Sequence, residues 1–313
     1  MKAIMKTDIY FIALSAIFVI FLQSCVDIIT RQEQNVNAML VFESDINSAS
    51  GFNAIISTSA GLADVTATSL PTDLDVVVIP ITEDVFELFY DEDCVCYRND
   101  VVIPKPGVLY DLKVSSPNNE IYGDIAGRMQ FPYVTKSSEL KALRQIKSDG
   151  STTLYVRITL EGESTSSNYY HILPYRKITE IVVVDQEEEE RYTGEIEYLD
   201  LVDFDNNNLY IEVDFYKSGF LVDFNEENIS SNTLNLILNT HTVIDYETEA
   251  FTKLFFEVRS VTESYYKYEI YQSRKFEGLE AGNVQPPISY GNITNGLGYF
   301  GGYNSSTDSI SVQ

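Results

Sequence analysis

Along most of the chain, apolar and polar residues alternate with a period of two. Leu154, Val156, Ile158 and Leu160 alternate with Tyr155, Arg157 and Thr159, the pattern of a strand with one face on a core. The same alternation places Val108, Tyr110, Leu112 and Val114 against Asp111 and Lys113, and Leu209, Ile211, Val213 and Phe215 against Glu212 and Asp214. It recurs at Leu234, Leu236 and Leu238 and at Leu254, Phe256 and Val258. Segments rich in Val, Ile, Thr, Tyr and Phe, separated by Gly, Asn, Asp and Pro, predict an all-β fold of antiparallel sheets stacked as sandwiches.

Helical spacing is scarce. One packing helix is predicted from about Glu263 to Lys275, where Tyr266, Ile270 and Tyr271 recur before Gly278. A second is predicted over Ser138 to Ile146, with Leu140, Leu143 and Ile146 three residues apart. Phe131-Pro132-Tyr133 precedes it, and a residue before proline leaves the helical region, so a boundary falls near residues 130–137. Two β-sandwich domains follow: an immunoglobulin-like one over 38–133 and a larger one over 134–313 with a glycine- and aromatic-rich C-terminal closure. The acidic run Glu187–Glu190 reads as a solvated hairpin loop between Ile181–Val184 and Ile196–Leu199.

The amino terminus has a different pattern. Lys2 and Lys6 precede an apolar run from Ile9 to Leu22 whose 14 residues would span only about 21 Å of a ~30 Å hydrocarbon core. Residues 1–24 therefore read as a secretory signal peptide rather than a membrane span. Leu22-Gln23-Ser24-Cys25 looks like a bacterial lipobox, which makes Cys25 the acylated first residue of the mature chain, and residues 25–37 are polar enough to form a tether. The membrane contact expected is palmitate-type lipid, not a helix.

Charge excludes one class of partner. With 21 Lys+Arg against 47 Asp+Glu the chain carries −26, so it would repel a polyanion, and nucleic acid is excluded. A content of 44% hydrophobic and 12% aromatic residues supports a large core. No GxSxG, HExxH, P-loop or GxGxxG stretch occurs. No cofactor is implied, and no enzymatic activity is expected. His171 and His241 sit far apart in strand-like contexts and read as structural. Asp203, Asp205, Asn207 and Asp214 mimic part of a calcium loop, but Asn208 stands where such a loop needs glycine, so a solvated turn is expected and no metal. Cys94 and Cys96, separated by Val95, leave three outcomes open: a local disulfide if the chain turns there, free or buried thiols, or half of a metal site.

The segment Gln285-Pro286-Pro287-Ile288-Ser289-Tyr290-Gly291-Asn292-Ile293-Thr294-Asn295-Gly296-Leu297-Gly298-Tyr299-Phe300-Gly301-Gly302-Tyr303 resembles the ending of domain of unknown function 4249, a family of Bacteroidota outer-membrane lipoproteins. Its glycines permit positive φ, and Ile293, Leu297, Tyr299 and Phe300 supply an apolar plug. Met39–Glu43 looks like the family's first strand, Pro106–Val114 like its repeated strand, and Asn168–Tyr170 and Ser264–Tyr268 like its tyrosine motifs.

The resemblance implies a surface lipoprotein lipid-anchored in the outer membrane. It implies an accessory or ligand-capturing role beside a TonB-dependent β-barrel transporter, with no catalytic residue to transfer. A fimbrillin-like pilus or adhesin subunit is the structural alternative, because such subunits are also acylated two-sandwich proteins that exchange strands. Asp308-Ser309-Ile310 looks like a short O-glycosylation signal, which would modify Ser309.

Overall fold

Short strands account for nearly all the regular structure in this computed structural model, which describes residues 39–59, 70–116, 123–146, 148, 152–161, 169–184, 187–204, 210–213, 218–224, 233–239, 253–280 and 290–311. The protein is all-β apart from one helix among the described residues. In chain order come β1 (Leu40–Ser44), β2 (Ile46–Asn47), β3 (Phe52–Thr58), β4 (Asp75–Pro80), β5 (Phe86–Asp91), β6 (Cys96–Asn99), β7 (Leu109–Ser115) and β8 (Ile125–Gln130). Then follow β9 (Lys136–Ile146), β10 (Thr152–Glu161), β11 (Tyr169–Val184), β12 (Glu187–Tyr198), β13 (Asp200–Phe204), β14 (Tyr210–Val213), β15 (Phe220–Asp223), β16 (Thr233–Asn239) and β17 (Leu254–Val261). Helix α1 (Glu263–Glu280) precedes β18 (Ile293–Thr294), β19 (Leu297–Tyr299) and β20 (Gly302–Ile310).

The first sheet has nine strands in the order β18-β8-β7-β4-β5-β6-β3-β1-β19. Its two end strands are separated by only Asn295 and Gly296, so the sheet must curl until its edges approach, as a barrel does. Strand β5 turns a corner: Phe86–Leu88 pair with β4, while Phe89–Asp91 pair with β6. Alternation is clean where the sheet covers the core. Phe52, Ala54, Ile56 and Thr58 of β3 point in, and Phe42, Val78, Leu112, Phe131 and Phe300 are fully buried in the same cluster. Burying side chains of this size contributes about 1.5–3 kcal/mol each relative to exposure.

The second region holds a four-stranded sheet, β13-β16-β10-β9, and a second sheet ordered β14-β15-β11-β17-β20-β2, with β12 paired to β11. Leu154, Val156, Ile158 and Leu160 from the former meet Ile172, Phe220, Val222, Phe256 and Val258 from the latter in one cluster. The chain's last strands serve both regions. β18 and β19 hydrogen-bond into the first sheet, although the closure was expected within residues 134–313. β20 pairs with β17 and with β2.

Two local expectations are corrected. The helix predicted over Ser138–Ile146 is strand β9, paired with β10 from Leu140↔Ile158 to Leu143↔Tyr155. Spacing of three suits either element when only three apolar positions are involved. Here Leu140 packs on the core while Leu143 is 69% exposed on the opposite face, as a strand requires. The acidic run Glu187–Glu190 is not a loop. It opens β12 and pairs residue by residue with Val184–Ile181 of β11, because the connection is confined to residues 185–186 and the ladder starts at once.

Helix α1 forms as predicted and extends further, to Glu280. Thr262 caps it, its hydroxyl oxygen accepting the Tyr265 N–H at 3.2 Å, and Lys267 pairs with Glu263 one turn away at 2.5 Å. The inward face carries Tyr265, Tyr266, Tyr268, Glu269 and Ser273, all buried. The helix packs on β11 and Leu221 of the second region and on Tyr299 of β19 in one cluster.

Candidate functional site

The structure distributes the residues singled out in the sequence over separate places. Cys25, His241, Asp205, Asn207 and Asp214 lie outside the described residues, and Asp203 is in β13. Cys94 and Cys96 are bridged, with Cα atoms 5.2 Å apart, and Val95 takes the turn between them at φ 56°. The disulfide therefore staples the exposed β5–β6 hairpin end. His171 is fully buried in β11, with Nδ1 3.1 Å from the Tyr265 hydroxyl and Nε2 2.8 Å from the Ser218 carbonyl. Both ring nitrogens are thus engaged in packing. Ser309 is half-buried on β20 opposite Phe255, and its N–H donates to the Asp308 carboxylate at 2.7 Å. Among the described residues no three His, Cys, Asp or Glu side chains gather as a metal site. No described helix is long and apolar enough to cross a membrane.

What the fold does bring together is the C-terminal segment, strand β1 and helix α1. β19 runs parallel to β1, with Val41↔Leu297, Phe42↔Gly298 and Glu43↔Tyr299 in register. Gly298 has φ 90° and lies against the Phe42 backbone, where any Cβ would overlap the carbonyl oxygen. The other glycines of the segment do not adopt positive φ; the left-handed residue next to them is Asn295, at 59°. The apolar plug is also divided. Ile293, Tyr299 and Phe300 are buried, whereas Leu297 is 38% exposed.

Beneath this seam lies a closed polar network. The Ser44 hydroxyl donates to the Gly301 carbonyl at 2.7 Å and accepts the Gly301 N–H at 2.8 Å. The Tyr299 hydroxyl donates back to the Ser44 carbonyl. The Ser264 hydroxyl donates to the Phe300 carbonyl at 2.9 Å, and Thr262 Oγ1 accepts the Gly302 N–H at 3.2 Å. Buried polar groups that are fully paired fix one arrangement of strands and helix.

Just outside it, a cleft of about 420 Å³ opens between α1 and the β1–β19 pair, within the usual ~300–1,000 Å³ of ligand sites. Alternation along β1 turns Val41 and Glu43 toward it while Leu40, Phe42 and Ser44 face the core. The helix contributes Tyr268, Tyr271, Gln272 and Lys275, and the C-terminal segment Tyr290, Ile293 and Leu297. Tyr268 is the hinge of the site. Its hydroxyl donates to the Glu43 carboxylate and accepts from the Gln272 amide, and its ring stacks on Tyr299 with centroids 4.3 Å apart.

Burial, then the Glu43 carboxylate beside it, pushes the Tyr268 phenol far above its ordinary value. Burial likewise raises Tyr290 and Tyr299, the latter with buried Glu269 adding to the effect. The Tyr268 and Tyr290 phenols therefore stay protonated, and Tyr268 donates its proton to Glu43. It presents aromatic rings, one carboxylate, one amide and one ammonium, a set suited to holding a small polar molecule.

A second, larger cavity of about 850 Å³ lies on the four-stranded sheet, lined by Leu143, Tyr155, Arg157 and Ile237 among others. None of the stretches that carry the family resemblance reaches it. By contrast, three of them, Met39–Glu43, Ser264–Tyr268 and the C-terminal segment, all contribute to the tyrosine cleft. Sequence reading singled out the stretches that line this cleft, Met39–Glu43 among them, but assigned none of their residues to a ligand site; Gln272 carries no local signal.

Fold and cleft together define a β-rich protein whose own terminal strands complete the sheet at which they form a ligand-sized groove. The family described as Domain of unknown function (DUF4249) matches residues 28–309, and the chain belongs to it. No curated protein matches the chain.

Proposed function

We propose that this protein is an outer-membrane lipoprotein, acylated at Cys25 and facing the cell surface, that acts as an accessory to a TonB-dependent transporter by capturing a ligand in the tyrosine cleft. The observation that carries the reading is the convergence of Val41 and Glu43, Tyr268, and the C-terminal Tyr290, Ile293 and Leu297 on one cleft. Residues from three distant stretches gathered at an open groove point to binding, since packing alone would have closed it. The lipobox-like Leu22-Gln23-Ser24-Cys25 ahead of a polar stretch supports attachment through lipid.

The pilus-subunit alternative needs a groove that admits a foreign strand. The end strands of the first sheet, β18 and β19, are only two residues apart in the chain and bring its edges together, which favours the accessory role. Pull-down of the acylated protein from solubilised outer membranes should recover a β-barrel transporter; recovery of no barrel would overturn the proposal. Labelled palmitate should enter the wild-type chain and not the Cys25→Ala variant, and equal labelling of the two would remove the anchor from the account.

A further inference from the structure

We propose that the tyrosine cleft binds a neutral saccharide, an inference that rests on the ligand-capturing reading and gives that ligand a chemical class. A sugar ring has two kinds of surface: apolar C–H patches on its faces and hydroxyls around its rim. The cleft offers a complement to each. The half-buried rings of Tyr271 and Tyr290, with Leu297 beside them, supply flat apolar contact, and aromatic faces take up C–H groups through dispersion and their quadrupole. Glu43 and Gln272 supply planar two-atom groups at hydrogen-bonding range of the same Tyr268 hydroxyl, and such groups pair with adjacent hydroxyls. Each side chain is already held by a neighbour, so little rotamer freedom is lost on binding.

Charge sets the ligand apart from other polar molecules. Glu43 and Lys275 bring one charge of each sign to the cleft, and the chain as a whole carries −26, so an anion gains little there. Strand β1 offers no free edge to an extended peptide, because β3 and β19 pair with its two sides, and trialanine in the test below covers the outer edge of β19. A neutral, hydroxyl-rich molecule with apolar faces satisfies the groups that remain.

The test uses the acylated full chain in a polyoxyethylene detergent, which carries no sugar headgroup. Saturation-transfer NMR is recorded with maltotriose, cellotriose and xylotriose, and with trialanine and inorganic phosphate as competing classes. Saturation should pass to ring C–H protons of at least one trisaccharide. Affinity should fall about fivefold in Tyr271→Ala and in Tyr290→Ala, the loss of one ring contact, while near-UV circular dichroism shows the fold retained. The more conservative Glu43→Gln, which keeps the acceptor for Tyr268, should weaken sugar binding without altering the spectrum. Silence from all three sugars, unchanged affinity in both tyrosine variants, saturation of trialanine instead of sugar, or loss of the sugar signal on adding equimolar phosphate would overturn the proposal. Recovery of the β-barrel partner by a Tyr271→Ala/Tyr290→Ala double variant separates the two readings. In the wild type, a retained barrel with no sugar binding defeats this inference alone, and a lost barrel defeats the accessory role.

Discussion

Two sets of polar side chains sit one residue apart along β1 and receive opposite treatment. Ser44 faces inward and is 2% exposed, in a network with Thr262, Ser264 and Tyr299 in which every partner is a backbone group or another buried hydroxyl. Glu43 faces outward, and its partner Tyr268, with Gln272 donating to the same phenol, lines an open cleft. The pleat alone separates them. The same strand therefore has a face that closes the fold and a face open at the cleft, and substitutions on the two sides should have different consequences.

The largest effect is expected at Gly298. A side chain at φ 90° against the Phe42 carbonyl should cost the Gly298→Ala variant about 3 kcal/mol or more. Urea unfolding would show this as a lower midpoint, and a wild-type midpoint would mean that β19 does not sit as described. Next is Ser44→Ala, which leaves the buried Gly301 N–H without its acceptor and should lower stability by about 2 kcal/mol in the same assay. A loss confined to a few tenths would show the network to be incidental.

The open side should behave otherwise. Gln272→Ala removes a half-buried amide and should change stability by no more than about 0.5–1 kcal/mol, while weakening whatever the cleft holds. A large stability loss there would erase the contrast between the two halves.

The smallest effect concerns Asp223 at the end of β15, whose carboxyl is raised by burial first and by Glu263 second. A carboxyl with a raised folded pKa favours its neutral form in the native state. Its contribution to stability is thus fully present below the unfolded value near ~3.9 and is lost as pH rises through the folded value. Asp223→Asn should accordingly stabilise the protein at pH 7 and make little difference near pH 4. Equal midpoints at pH 7 would refute this.

Much of the fold was legible because one face of each strand is buried and the other is wet. Leu154–Leu160 and Leu254–Val258 announce β10 and β17 by alternation alone, and the tyrosines from Glu263 onward announce α1. Legibility failed where the deciding partner lies elsewhere in the chain. Ser138–Ile146 has helical spacing in isolation and becomes a strand because β10 supplies hydrogen bonds along its length. The glutamates of β12 are poor strand formers, and they are held extended by the apolar stretch Ile181–Val184 across the ladder. In the cleft, Glu43 meets Tyr268 across 225 residues, and no periodicity or motif records such a meeting. The glycines of the closing segment were read as turn formers. Gly298 and Gly302 instead clear room for the Phe42 and Ile46 carbonyls, a demand set by β1 and β2 and invisible from their own surroundings.

The order of strands in the first sheet also governs how the molecule can be made. Its outermost members are synthesised more than 160 residues after the seventh of its strands, β8, as the register Ile293↔Gly127 shows. A nascent chain carries that sheet unfinished, with bare rims, until residues 293–299 have been made. A premature stop ahead of Ile293 would therefore cripple the first sheet as thoroughly as the region in which the stop falls.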